Sequence, residues 1–145
     1  PFHLTKQQQT MRTVTEIIVH CSATAEGRSF TVADIDRWHR ERGFRKIGYH
    51  YVIYLDGTIH AGRSEAETGA HCLGHNALSI GVCYIGGCAA DGRTPKDTPP
   101  QQKAALTALL HDLRRRYPGA KIHGHRDFAA KACPSFDATA EYRKL

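Results

Sequence analysis

No stretch of the 145 residues approaches the ~18 consecutive apolar residues that would cross a bilayer, and the basic N-terminal segment lacks an apolar run of signal-peptide length. Membrane insertion is therefore not expected, and the chain reads as soluble. Five cysteines, Cys21, Cys72, Cys83, Cys88 and Cys133, are an odd number and form no C-x-x-C pair. That pattern argues against a complete disulfide framework and against a four-cysteine zinc knuckle, and leaves at least one thiol for chemistry or burial. It suits a reducing cytosol and a partly oxidised exterior alike. Internal repeats and low-complexity tracts are also missing. With 41% apolar residues, the length supports one globular domain with a single core rather than two. Pro1 to Arg12 is polar and without period, so it reads as an N-terminal extension, a processed or appended end, and leaves 13–145 as the domain.

A formal charge of +6 favours acidic partners: nucleic acid, an anionic surface or a carboxylate-rich polymer. The basic clusters Arg37, Arg40, Arg42, Arg45, Lys46 and Arg114, Arg115, Arg116 both fall in helical patterns, where they read as solvated faces. Neither is accompanied by aromatic stacking platforms or a recognition helix, so nucleic acid is not expected as a partner.

Along the chain, Ile17, Ile18, Val19 and His20 read as a buried strand that ends on a histidine. Thr31 and Asp34 form a capping box for a helix carrying Val32, Ile35 and Trp38, and Gly43 is placed to stop it. Tyr49 to Leu55 and Thr58 to Ala61 flank Asp56-Gly57, a hairpin signal. Ser79 to Ile85 is a further strand. After a Gly, Asp, Pro and Thr rich loop, Thr98 with Pro99 opens a second helix whose stripe is Leu106, Leu109, Leu110 and Leu113 and which ends at Pro118-Gly119. A strand around Lys121 to His125, a loop from Arg126 to Asp137 and a helical turn or two from Thr139 complete the chain. Interleaved strands and helices predict an α/β fold, a single domain with a central mixed β-sheet flanked by α-helices, and chemistry gathered at strand ends.

Three histidines, His20, His123 and His125, fall near such ends, as does Cys133. Imidazole nitrogen and thiolate sulfur are the ligands zinc takes, and a catalytic zinc wants three of them with the fourth position open to water. By strand parity His123 and His125 share a face, so both can reach one metal. A lone histidine or cysteine is more often a packing residue.

The segments IIVHCSAT (Ile17 to Thr24), IGYHYVIYLDGTIHAGR (Ile47 to Arg63), GAHCLGHNALSIGVCYIGG (Gly69 to Gly87) and HGHRDFAAKACPSFD (His123 to Asp137) resemble, in order, the motifs of the type 2 N-acetylmuramoyl-L-alanine amidases. Within that family the chain is most similar to the bacteriophage lysozymes that are amidases, and more distantly to animal peptidoglycan recognition proteins. The resemblance implies hydrolysis of the amide between N-acetylmuramic acid and L-alanine in peptidoglycan, with a Zn2+ ion on His20, His125 and Cys133. It implies that Tyr49 and Lys131 assist catalysis and that His71 and Asn76 line the cleft for the muropeptide. His75 departs from the family, which often has Tyr there, and bears on stem-peptide preference. Trp38, His39 and His60 read as structural. The resemblance further implies a monomer that is cytoplasmic before release to the wall, and an RNA polymerase as a regulatory partner of some relatives. Two rivals differ in chemistry: a module that binds peptidoglycan without cutting it, and a thiol hydrolase in which Cys133 attacks and a histidine is the base.

Overall fold

The structure, a computed structural model, describes residues 12–145. Pro1 to Met11 lie outside the described residues. Five strands form one sheet in the order β4-β3-β5-β1-β7, from β1 (Glu16–Cys21), β3 (Tyr51–Ile53), β4 (Ile59–Ala61), β5 (Ser79–Tyr84) and β7 (Lys121–Gly124). β3, β5, β1 and β7 run parallel and β4 closes one edge antiparallel to β3, so the sheet is mixed. A small second pairing joins β2 (Thr24–Ala25) to β6 (Gly87–Cys88). Among the described residues three helices accompany the sheet: α1 (Val32–Glu41), α2 (Pro100–Arg116) and α3 (Ala138–Glu141).

β1 and β5 sit at the centre and are covered on both faces, which is why they read as nearly continuous apolar runs rather than alternating ones. Strand parity divides β1. Ile17, Val19 and Cys21 face the core under α2, where Leu106, Leu109, Leu110 and Leu113 pack. Each such leucine contributes about 1.5–3 kcal/mol when taken from water. His20 points to the other face, the one on which Ile35 of α1 packs with Ile47, Val52 and Ile85. That face, at the C-terminal ends of the parallel strands, holds the site.

The capping box of Thr31 and Asp34 is present in both directions. Gly43 and Gly57 adopt φ of +93° and +90°, a region that residues with a Cβ rarely enter, so they stop α1 and turn the hairpin. Three boundaries differ from expectation. β3 is shorter than Tyr49 to Leu55, since Tyr49 and His50 give their carbonyls to Arg63 and Gly62 at the rim of the site. Thr98 does not cap α2: Pro99 holds the cap position without a side-chain bond, and Pro100 behind it has no N–H to satisfy. β7 stops at Gly124, and His125–Asp127 form a 3-10 turn. Arg12, placed by composition with the polar extension, is tied into the fold by hydrogen bonds to the carbonyls of Glu65, Ala77 and Ser79.

Candidate active site

β1 delivers His20 to its C-terminal end, where only 1% of the residue is exposed. The 3-10 turn after β7 aims His125 at the same point, and the following loop brings back Cys133. Their ring nitrogens and sulfur lie within 4.8 Å of one another, and among the described residues they form the one such group of three that could hold a metal ion. His20 Nδ1 is 3.9 Å from Cys133 Sγ, and the two imidazole centroids are 4.6 Å apart. The Cys21 amide donates to Cys133 Sγ at 3.2 Å.

His123 is not in that group. The backbone leaves the strand after Gly124, so the two-residue parity that would put His123 beside His125 fails. Instead His123 lies between the carboxylates of Glu16 (3.7 Å) and Asp127 (3.5 Å).

Electrostatics suit a metal. Burial, with neighbouring His71 and His125 adding to it, drives the His20 pKa well below the usual histidine value, and burial with Lys131 nearby lowers that of His125. Both rings are thus neutral, the form that coordinates. The hydrogen bond with the Cys21 side chain, and burial, push the Cys133 thiol up. A thiol so placed becomes a thiolate when a divalent cation compensates it.

His125 and Cys133 line a cleft of 740 Å³ together with Tyr49, His71, Asn76 and Lys131, and buried His20 lies against His125, Cys133, Tyr49 and His71, so the structure brings all seven sequence-predicted site residues to one place. Tyr49 approaches His20 with ring centroids 5.0 Å apart. Burial, reinforced by the nearby thiols of Cys83, Cys133 and Cys21, raises its phenol pKa, so Tyr49 keeps its proton. Lys131 is exposed at the rim. His71 stands behind His20, with its Nδ1 2.8 Å from His20 Nε2 and its Nε2 3.1 Å from Ser79 Oγ. The Asn76 carboxamide oxygen accepts from the amides of His71 and Cys72. His75 turns to Glu16 at 2.9 Å and stacks on Phe128, with centroids 3.8 Å apart.

Arg42, Phe44 and Phe128 also line the cleft; sequence reasoning places Arg42 on a solvated helix face and assigns no role to Phe44 or to Phe128, which carry no ligand chemistry. The remaining basic residues of the first cluster pair on the surface: Arg37 with Asp34, Arg40 with Asp36, Arg45 and Lys46 with Glu67. Arg115 and Arg116 pair with Asp112, and Arg116 also grips Glu65. His60 stacks on Tyr54 and Trp38 meets Phe30 edge to face, while His39 accepts from the Gly48 amide and also lines the cleft.

Residues 10–136 match the N-acetylmuramoyl-L-alanine amidase family along most of the chain. The chain belongs to this family. Amidase activity on peptidoglycan follows from membership. The endolysin of Enterobacteria phage K11 is 46% identical over 133 residues, 92% of this chain and 85% of that protein. The solved N-acetylmuramoyl-L-alanine amidase LysC from Clostridium intestinale URNW superposes with a TM-score of 0.77 at 29% identity, over 99% of this chain and 88% of that one. A tyrosine-to-phenylalanine mutant of Drosophila peptidoglycan-recognition protein LB, solved in complex with tracheal cytotoxin, gives 0.76 at 27%, over 93% and 83%. Among the described residues no helix is long and apolar enough to cross a membrane.

Proposed function

We propose that the chain hydrolyses the amide bond between N-acetylmuramic acid and the L-alanine of the stem peptide, using one zinc ion held by His20, His125 and Cys133. The observation that carries this reading is the convergence of two neutral imidazoles and a sulfur within 4.8 Å at the wall of a cleft, in a chain of this family. Nitrogen and sulfur donors suit zinc, and three protein ligands are the catalytic complement. Bound there, zinc would acidify a water molecule and polarise the scissile carbonyl.

The chain's own residues do the rest. Tyr49, protonated and beside His20, can hold the attacking water and take part in moving its proton. Lys131 sets a cation at the rim of the same cleft for the developing oxyanion. Asn76 spends its carboxamide oxygen on two backbone amides and keeps its nitrogen for the sugar or stem peptide. The partner is thus peptidoglycan or its fragments, which agrees with the cytotoxin complex of the Drosophila relative.

Cys133 next to His20 also allows the thiol-hydrolase reading, but Cys133 is only 9% exposed and its sulfur is already engaged by the Cys21 amide. The test is incubation of the purified protein with peptidoglycan and mass spectrometry of the products, with and without chelator. Glycan bearing a free lactyl carboxylate, together with stems that begin at L-alanine, is the expected result, abolished by chelation and restored by zinc. Zinc-loaded protein that binds the wall and releases neither product would make it a binding module. Cleavage that survives chelation would make Cys133 the nucleophile.

A further inference from the structure

His71 shares the cleft with groups expected to touch substrate, yet both of its ring nitrogens are taken. Nδ1 lies 2.8 Å from His20 Nε2 and Nε2 lies 3.1 Å from Ser79 Oγ, with the His20 and His71 rings edge to face at 4.9 Å between centroids. Its slot is cut to shape. A Cβ on Gly81 would stand 2.6 Å from the His71 ring, and one on Gly69 would stand 2.7 Å from it, so glycine at these positions admits an imidazole in this pose. The backbone at its base is pinned by Asn76, which accepts from the His71 and Cys72 amides.

From this geometry we infer that His71 is a positioning residue: it orients His20 for the metal rather than contacting the muropeptide. The inference rests on the metal reading given above. The hydrogen bonds run in one direction. His20 presents Nδ1 toward Cys133, which leaves the proton on Nε2. That N–H donates to His71 Nδ1, and His71 Nε2–H then donates to Ser79 Oγ. Ligating histidines commonly donate to a carboxylate, a carbonyl or a water, and the partner fixes the ring. Here the partner is a neutral imidazole. It fixes the tautomer and the ring angle of His20 without pushing negative charge into the site, so the Cys133 thiolate is the one anion among the ligands.

Asparagine gives a discriminating substitution, because its Oδ1 can stand where His71 Nδ1 stands and accept from His20, while nothing replaces Nε2. Zinc affinity is read by competition with a chromophoric chelator, beside KM and kcat on muropeptide and a thermal melt of the metal-free protein. His71→Ala should weaken zinc by about 10–100-fold, the usual effect of losing such a partner. His71→Asn should bind zinc close to wild type. Wild-type zinc affinity in His71→Ala, with a raised KM, would overturn the inference and return His71 to the substrate. Should His71→Ala fail to fold, His71→Asn decides: retained affinity supports positioning, and loss comparable to removing the partner overturns it. A wild-type protein that binds no zinc fails the metal reading itself, a separate result.

Discussion

The amide of Cys21 and the sulfur of Cys133, 112 residues apart in sequence, meet at 3.2 Å. An N–H aimed at sulfur favours the thiolate, so this backbone contact prepares Cys133 to be an anion while burial and the Cys21 side chain oppose it. The cation that resolves this opposition is the proposed zinc. Cys133→Ala should therefore carry almost no zinc after purification while wild type carries close to one ion per chain, by elemental analysis. An alanine variant that retains a full complement would remove Cys133 from the ligand set.

His125 and His123 separate in the same assay. His125→Ala leaves two ligands and should lose zinc and activity together. His123→Ala should keep its zinc, since His123 sits between Glu16 and Asp127 rather than at the ligand cluster. The reverse pattern would exchange their roles.

Tyr49 and Lys131 are proposed to act on the transition state, so Tyr49→Phe and Lys131→Ala should keep metal and fold. Each should lower kcat by about 10²-fold or more, with a smaller effect on KM. Wild-type turnover in either variant strikes that residue from the mechanism.

His39 and His50 make stability depend on pH. Each accepts a backbone N–H on Nδ1, from Gly48 and Gly81, and burial lowers each pKa to about 4. The unfolded chain binds these protons near 6.5 and the folded protein near 4, so between those values the unfolded state holds more protons. Stability is then full above pH 6.5 and declines as pH falls toward 4, by about 1.4 kcal/mol per pH unit per histidine. Denaturant midpoints of metal-free protein across this range should show the slope, and His39→Gln should make it shallower. A flat profile would mean that both rings titrate normally.

The elements with strong local rules were legible: the capping box at Thr31, the Asp56-Gly57 turn, the leucine stripe of α2 and the buried strand ending at His20. Residues decided by tertiary context were not. Nothing local says that His71, in the loop before β5, faces another histidine, because the partner is 51 positions away on β1. Strand parity kept both His123 and His125 in reach of a metal, and it took the 3-10 turn after Gly124 to separate them. Thr98 has the chemistry of a cap, but two prolines settle the helix start without it. Arg12 looks like part of a polar lead until its three carbonyl acceptors, from Glu65 to Ser79, are in place.

The order of the strands also governs when the site can exist during synthesis. β1 is made first, but its neighbours β5 and β7 begin at Ser79 and Lys121, so its edges stay unpaired until most of the chain has emerged. His20 waits longer still, for His125 and Cys133. A nascent chain or a truncation that stops before Cys133 holds His20 and lacks at least one ligand of the proposed zinc site. Closing contacts over such separations costs chain entropy before they reward it, which places assembly of the proposed zinc site late in folding.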